Sequence, residues 1–586
     1  MRQHCKFMYN KLSLFLGKKY KKQAIILVFL YVFINFLEIV GLSSVPILVS
    51  LLLENSKLFD IFFLQSFKST ISEIPKDRLL LYFSFSIIGF FLIKNLLMAY
   101  LINFELNVFK RITVDLKKKI FDYYLNIPYI EHLSLSSSIV IRAILTDTTL
   151  AVSYLLSFLT IISQFILLLF SLFLLMYWNL KITFFTVFIF FLFSYIIYKF
   201  ASNRVYNLGK LKQYYSKETH QVIIESINNI IEVIIYSKDS FLTSLFKDKE
   251  EKTQDYNLKI SLYKKMPKLI YEVLGVSLLI TVIIYNISSN YPIEETIIFI
   301  SLLTITIVRI LPSLNLLSQS YSSLKSSEYS FNLIIKIIKD NSKKNNINKN
   351  HQTNFQKSIK FENIKYTYPN VLKRSIENFN FEIEKNSIIG IVGKSGSGKS
   401  TFVNLLAGLL RPSSGNIYID NKSIIGKEYL IQSKIGYIPQ NNYLIDDTIL
   451  KNIIFSNRAD NIDYDLLKDC LNQSQLSEFI ESLKEGVNTH VGEKGMKISG
   501  GQRQRIGIAR ALYNKPEILI FDESFNSLDR ATEQRLLDEI YRIKDQTIII
   551  ISHKLENLYK CNKVMLIEDG EIKRIGTQLE IGEVFK

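Results

Sequence analysis

The segment Ser387–Thr401, SIIGIVGKSGSGKST, decides the fold of the C-terminal part of the chain. A run of strand-forming residues is followed by a glycine-rich loop and by residues that begin a helix. In this arrangement, backbone N–H groups and the positive end of the helix dipole surround a phosphate group. We expect Lys399 to neutralise the β- and γ-phosphates of a nucleotide and the Ser400 hydroxyl to bind Mg²⁺. The predicted phosphate loop and the start of its helix comprise Gly393, Lys394, Ser395, Gly396, Ser397, Gly398, Lys399, Ser400 and Thr401.

The sequence around this loop predicts an α/β domain. Short β-rich runs such as EILIFDE (517–523) and TIIIISH (547–553) alternate with helical stretches. Continuous apolar runs of this length are typical of parallel strands buried on both faces of a sheet. We expect the domain to cover residues 358–586, after a polar linker at 339–357.

The N-terminal half has a different composition. The 586-residue chain is 48% hydrophobic with a mean hydropathy of +0.18, and it is too long for one ordinary domain. Six apolar runs are long enough to cross a bilayer as helices. They predict an all-α membrane domain over residues 1–338, and six buried core helices of this length would be unusual. The runs are at about 24–50, 78–102, 151–177, 180–200, 268–288 and 293–316.

The net charge of +18 fits a membrane protein better than a nucleic-acid-binding one, because the lysines cluster beside the apolar runs. Lysine-rich segments lie before the first run, between the second and third, and between the fourth and fifth. Because positive loops stay in the cytoplasm, both termini and the C-terminal domain are predicted to be cytoplasmic. We also expect helices two to five to extend into the cytoplasm, with tips near 128–138 and 223–235, and we expect no nucleic-acid partner.

Two more motifs carry chemistry in the C-terminal domain. In ILIFDES (518–524), an apolar strand ends in two acids, so that Asp522 is placed to anchor Mg²⁺ and Glu523 to polarise the attacking water. The third motif is KISGGQRQR (497–505), which contains Ser499, Gly500, Gly501 and Gln502.

Together the three motifs resemble the signature of ATP-binding cassette (ABC) proteins. Further segments match in order: Tyr368 resembles the aromatic residue that stacks on adenine, Gln440 the glutamine that contacts Mg²⁺, and His553 the switch histidine that contacts the γ-phosphate. THVGEKG (489–495) and NSLD (526–529) resemble two other cassette segments. The resemblance implies ATP and Mg²⁺ as cofactors. It implies Glu523 and His553 as catalytic residues, and Ser400, Gln440 and Asp522 around the metal.

Six helices before one cassette is the layout of half-transporters among ABC exporters, so the resemblance implies the type IV exporter fold. In that family, ATP lies between the phosphate loop of one cassette and the signature motif of another. One chain carries one of each, so it must pair, and we expect a homodimer. Departures such as Ile498 and Ser524 remove no charge or donor that the chemistry needs.

Ionisable residues inside the predicted spans are the only internal indication of a substrate. Glu38, Lys94 and Arg309 are the candidate substrate residues, because charges in lipid usually face a cavity or each other. They either form structural ion pairs or bind a phosphate-bearing head group. An outer segment at 57–69 is rich in Phe, Leu and Ile, and it is either a helix at the membrane interface or an ordinary loop.

Two membrane segments, FLEIVGLSSVPIL (36–48) and VRILPSLNLLSQSYSSL (308–324), resemble bacterial flippases for lipid-linked oligosaccharides. This resemblance implies a polyprenyl-pyrophosphate glycan that is moved from the inner to the outer leaflet of the bacterial inner membrane. Other possibilities are an exporter of peptides or bacteriocins, a flippase for lipid A or phospholipids, and an ATP-gated channel.

Overall fold

The computed structural model describes residues 2–52, 75–178, 180–288, 293–344, 355–369, 375–456, 462–526 and 528–584. The chain divides into two compact units. The helical unit contains Met1–Ile127 and Ser134–Asn346, and the cassette unit contains Ile347–Lys586 together with the short segment Pro128–Leu133.

Long helices form the first unit. Five of them have 49 to 52 residues each. At 1.5 Å per residue such a helix is about 75 Å long, more than twice the thickness of a bilayer core. This length is consistent with the predicted extensions. The helices are α1 (Arg2–Leu52), α2 (Lys76–Asn126), α3 (Tyr129–Ser134), α4 (Ser137–Arg142), α5 (Thr148–Trp178), α6 (Leu180–Asn228), α7 (Ile230–Ile235), α8 (Asp239–Ser288) and α9 (Ile293–Lys344), with a π-helical turn at Ala143–Asp147.

Among the described residues, five helical segments are long and apolar enough to cross a membrane. They are Lys11–Val49, Asp77–Asn126, Ser137–Met176, Asp239–Ser288 and Thr296–Asn341. Large apolar side chains such as Phe29, Phe85 and Phe173 are mostly exposed on them, which favours a lipid environment. The predicted fourth span, 180–200, lies in α6; several of its side chains fall outside the described ones, so this span stays a prediction.

The predicted helix tips coincide with breaks between long helices. The segment 128–138 contains α3 and the start of α4, and the segment 223–235 contains the end of α6 and the six-residue helix α7. The structure differs from the predicted linker at 339–357, because α9 continues to Lys344 before the chain passes through residues outside the described ranges. The outer segment 57–69 also lies outside the described residues.

The cassette unit contains two sheets. The six-stranded sheet has the order β10-β9-β3-β8-β7-β6, in which only β10 is antiparallel to its neighbour, as predicted for a largely parallel sheet. The other sheet is antiparallel, in the order β2-β1-β4-β5. The strands are β1 (Ser358–Tyr366), β2 (Ile376–Glu384), β3 (Ile388–Val392), β4 (Ser414–Ile419), β5 (Lys422–Ser423), β6 (Ile435–Ile438), β7 (Ile518–Asp522), β8 (Thr547–Ile551), β9 (Lys563–Glu568) and β10 (Glu571–Gly576).

Side chains alternate along the parallel strands, so the apolar residues of each strand face two different hydrophobic cores. In β7, Leu519 and Phe521 face one core, whereas Ile518 and Ile520 face the other. Both faces are covered, which explains the unbroken apolar runs in the sequence. The cassette helices are α10 (Lys399–Leu406), α11 (Tyr429–Gln432), α12 (Ile449–Ile454), α13 (Tyr464–Gln473), α14 (Ser477–Glu481), α15 (Gly500–Tyr513), α16 (Arg530–Arg542) and α17 (Gln578–Gly582).

This topology places the candidate functional segments at one edge of the six-stranded sheet. The strands β3, β7 and β8 are parallel, so the loops after their carboxyl ends lie side by side. These loops contain the phosphate loop, Glu523 and His553. The segment Pro128–Leu133 belongs to the same unit, and Tyr129 and Ile130 pack against the core that faces α10.

Candidate nucleotide-binding site

The phosphate loop joins β3 to α10 and requires its glycines for space and for backbone conformation. A Cβ atom on Gly393 would lie 2.2 Å from the carbonyl oxygen of Ile567, and one on Gly398 would lie 2.7 Å from that of Ser375. Gly398 also has φ of 109°, a left-handed value that residues with side chains rarely adopt. The loop therefore packs closely against β9 and the residue that precedes β2, without room for side chains at these two glycines.

Lys399 lies across this loop. Its side chain is buried, and Nζ donates to the carbonyl oxygens of Gly393 at 2.7 Å and Lys394 at 3.0 Å. Burial lowers the pKa of Lys399, and the carboxylates of Glu523 and Asp522 oppose this shift. The Ser397 hydroxyl is buried without a hydrogen-bond partner among the described residues. A cation and an unpaired hydroxyl beside a glycine-walled loop fit the oxygens of a nucleotide phosphate.

Glu523 connects two of the other predicted residues. Its Oε1 lies 2.6 Å from Nε2 of His553, and its Oε2 accepts a hydrogen bond from Nε2 of Gln440 at 3.0 Å. Its φ of 48° is unusual for a residue with a side chain, and its N–H donates to the Ile551 carbonyl oxygen, which ties the turn to β8. Three segments that are far apart in sequence therefore meet at one carboxylate.

The Asp522 carboxylate has a partner that the sequence analysis missed. The Tyr437 hydroxyl donates to Oδ2 of Asp522 at 2.8 Å. Burial raises the pKa of Asp522, and Glu523 adds to the effect, whereas the bond from Tyr437 and the charge of Lys399 oppose it. Tyr437 lies in a short β-rich run, three residues before Gln440. This position is the sequence feature that could have identified Tyr437 as a neighbour of the site.

The three predicted metal ligands have the oxygen donors that Mg²⁺ prefers. Asp522 supplies a carboxylate at the end of β7, and Ser400 supplies an exposed hydroxyl in the first turn of α10. Gln440 is also exposed, and it uses its amide N–H towards Glu523, which leaves its oxygen for a metal. The residues present thus fit Mg²⁺, and their role as its ligands stays a prediction.

Tyr368 lies two residues beyond the end of β1. Its hydroxyl is 3.5 Å from Oγ1 of Thr401 in α10, and its ring packs edge-on against Tyr366 with the centroids 5.0 Å apart. The predicted adenine-stacking ring therefore lies beside the helix that follows the phosphate loop.

The motif at 497–505 forms the start of α15. Ser499 caps this helix, because its hydroxyl accepts from the N–H of Gln502 while the Gln502 side chain accepts from the N–H of Ser499. Gly500 and Gly501 form the first turn, and Ser499 is exposed. The positive end of this helix thus faces outward, where an anion can approach it.

The α15 helix packs closely against the segment that contains Gln440. The Gln504 amide donates to the Pro439 carbonyl oxygen at 3.2 Å, and the Asn442 amide donates to the Gln504 carbonyl oxygen at 3.4 Å. A Cβ atom on Gly507 would lie 2.0 Å from Nδ2 of Asn442. Sequence reasoning missed Gln504 and Gly507 as residues that support the site.

The candidate substrate residues form an ionic cluster in the helical unit. Oε2 of Glu38 lies 2.8 Å from Nζ of Lys94, and Oε1 of Glu38 lies 3.1 Å from Nε of Arg309. Glu38 and Lys94 are buried, whereas the Arg309 side chain is 40% exposed. Two cations therefore share one carboxylate, and the cluster carries a net positive charge.

Comparison with known proteins agrees with this geometry. Residues 376–526 match the family model described as "ABC transporter". Over 231 residues, the chain is 39% identical to a putative export ATP-binding/permease protein of Rickettsia prowazekii, and over 229 residues it is 39% identical to the alpha-hemolysin translocation ATP-binding protein HlyB of Escherichia coli O157:H7. These alignments cover 39% of this chain, and they cover 39% and 32% of the two relatives.

The fold extends the likeness over nearly the whole chain. The solved structure of a bacterial Atm1-family ABC exporter with ATP bound matches with a TM-score of 0.77, covering 97% of each chain at 18% identity. At this identity the match shows the fold. Residues 376–526 therefore form an ABC-transporter ATP-binding domain, within a chain that has the fold of an ABC exporter.

Proposed function

We propose that this protein is an ATP-driven exporter or flippase that couples ATP hydrolysis to outward movement of an amphipathic substrate. The observation that carries the proposal is the meeting of Gln440, Glu523 and His553 beside a glycine loop that holds Lys399. An exporter fold with helices long enough to span a bilayer and extend beyond it supports the transport part.

In the proposed reaction, Glu523 orients water for attack on the γ-phosphate and accepts its proton. His553 and Gln440 hold the carboxylate from two sides, so that it has one orientation before substrate arrives. Lys399 stabilises the charge on the phosphate oxygens. Bound Mg²⁺ would neutralise charge on the β- and γ-phosphates, and Asp522, Ser400 and Gln440 would hold it.

We further propose that two copies pair to complete each site. The exposed start of α15 supports this, because its N–H groups have the geometry for an anion that comes from outside the chain. The six-residue helix α7 also supports pairing, because Ile230, Ile231 and Ile234 are all exposed on it. ATP-dependent pairing of the cassettes would then switch the opening of the helical unit between the two sides of the membrane.

Pairing is tested by cysteine crosslinking. Ser395→Cys in the phosphate loop and Ser499→Cys at the cap of α15 are expected to crosslink between copies when ATP is supplied. Ser499→Cys paired with Ser477→Cys, at the start of α14 on another part of the cassette, is the control. ATP-independent crosslinking, or none, would contradict the proposed dimer.

For the substrate, we propose a lipid-linked oligosaccharide with a pyrophosphate group. The net positive cluster of Glu38, Lys94 and Arg309 supports an anionic head group, because Arg309 remains partly exposed while it is paired. The second candidate is export of a polypeptide, which is favoured by the sequence match to the alpha-hemolysin translocation protein. Export of lipid A, a phospholipid or a peptide, and an ATP-gated channel, are further possibilities.

The deciding experiment uses the purified protein in liposomes. ATPase stimulation is measured with lipid-linked glycans, phospholipids and peptides, and Arg309→Gln is compared with the parent protein. We expect lipid-linked glycan to stimulate the parent, and Arg309→Gln to lose this stimulation while it keeps basal hydrolysis. Stimulation by peptide alone would favour the second candidate. We place the protein in the bacterial inner membrane with its cassette in the cytoplasm.

A further inference from the structure

We propose that Tyr437 is a positioning residue, whose hydroxyl fixes the Asp522 carboxylate and connects it to the short helix α3. The inference rests on the proposed role of Asp522 in holding Mg²⁺. It adds a residue that none of the cassette motifs includes as a functional group.

The register of the sheet explains why Tyr437 reaches Asp522. The parallel strands β6 and β7 pair Tyr437 with Ile520, and Asp522 follows Ile520 by two residues. Because side chains alternate along a strand, all three lie on one face of the sheet. From its strand, the long Tyr437 side chain reaches diagonally to the end of β7, and its hydroxyl meets Oδ2 of Asp522 at 2.8 Å.

The hydrogen bond from Tyr437 holds the Asp522 carboxylate in one orientation. Oδ2 of Asp522 accepts from the phenol, which leaves Oδ1 for the proposed metal. The bond is partly buried, and a hydrogen bond to a charged group is stronger there than in water. An Asp522 side chain without this bond would have to be ordered by the metal itself, which lowers the affinity for the metal.

Tyr437 and α3 pack against the same hydrophobic core. Tyr129 and Ile130 of the segment Pro128–Leu133 pack against the core to which Tyr437 contributes. We expect a displacement of α3 to change the packing of this core around the Tyr437 ring and, through its hydroxyl, to affect the carboxylate of Asp522.

Tyr437→Phe in the full-length protein tests the first part, because it removes the hydroxyl and keeps the ring. The affinity for a fluorescent ATP analogue is measured against Mg²⁺ concentration and in EDTA, and bound Mn²⁺ is followed by electron paramagnetic resonance with ATP present. We expect the half-saturating Mg²⁺ concentration to rise about tenfold, with nucleotide affinity in EDTA unchanged. Tyr418→Phe, which alters a phenol that accepts from Asn416 in β4, is the control and should match the parent protein.

A double-mutant cycle tests the connection to α3. Tyr129→Leu should raise the half-saturating Mg²⁺ concentration in the parent background and have no further effect in the Tyr437→Phe background. The exposed His132 on the same short helix gives the control His132→Ala. Equal effects of Tyr129→Leu in both backgrounds would overturn the connection.

The outcomes separate this inference from the proposed function. Nucleotide binding that does not depend on Mg²⁺ in the parent protein would contradict the role of Asp522 itself. A Mg²⁺-dependent parent with a Tyr437→Phe variant that matches it would overturn the role of Tyr437 alone. Equal weakening in Mg²⁺ and in EDTA would show a purely structural effect and would also overturn it.

Discussion

Glu523 in the cassette and Glu38 in the helical unit are both carboxylates with two partners, but they are held in different ways. Glu523 lies in a turn with a positive φ, and its partners are the imidazole of His553 and the side-chain amide of Gln440. Glu38 lies within the long helix α1, and its partners are two basic side chains, those of Lys94 and Arg309. In the proposed mechanism, the first arrangement leaves the Glu523 carboxylate able to accept a proton, whereas two cations offset the charge of Glu38. Under that proposal, similar contacts serve catalysis in one region and charge compensation in the other.

Glu523→Gln should have the largest effect on activity. The amide keeps the size of the side chain but cannot accept a proton, so ATPase activity should fall about 1000-fold while ATP still binds and the closed dimer accumulates. Phosphate release and equilibrium nucleotide binding measure the two parts. Ordinary turnover in this variant would remove Glu523 from its assigned role.

Glu38→Gln should instead reduce the free energy of unfolding, which would distinguish Glu38 from Glu523. It leaves Lys94 and Arg309 without their shared anion and should cost about 3 kcal/mol. The thermal midpoint of the purified protein measures the effect. Arg309→Gln in the Glu38→Gln background should recover part of the loss, because it removes one unpaired cation. Unchanged stability would show that the cluster does not balance charge.

Gly393→Ala tests how tightly the phosphate loop is packed. The new Cβ atom would meet the Ile567 carbonyl oxygen at 2.2 Å, so the loop must move, and ATP affinity should fall about 10- to 100-fold. Gly89→Ala is the matched control, since its Cβ atom would meet nothing within 4 Å in α2. Similar nucleotide affinities of the two variants would indicate that the loop tolerates the change.

The smallest expected effect concerns the reactivity of two cassette cysteines with a thiol reagent. Burial raises the pKa of Cys470 to about 11 and that of Cys561 to about 12. Because the thiolate is the nucleophile, both should react with maleimide far more slowly in the folded protein than after denaturation at pH 7.5. Mass spectrometry of each labelled peptide measures the rates. Fast labelling of native protein would show that the cassette core opens readily.

The sequence predicted the cassette well because its motifs depend on local geometry. Gly393, Lys399 and Ser400 lie within one strand–loop–helix segment, so their order alone predicts a phosphate-binding loop. Tyr437 is different, because its role depends on the register between β6 and β7, which adjacent residues do not encode. The predicted linker at 339–357 also differs from the structure, since α9 continues to Lys344.

By itself, the sequence determined that a nucleotide-binding α/β domain follows a set of apolar helices, because glycine patterns and apolar runs are local properties of the chain. Only the tertiary structure decided which side chains share a partner: Gln440 with His553 at Glu523, Tyr437 with Asp522, and Lys94 with Arg309 at Glu38. These groups come from elements that are distant in sequence, and only strand register and helix packing bring their atoms within about 3 Å, the range of a hydrogen bond.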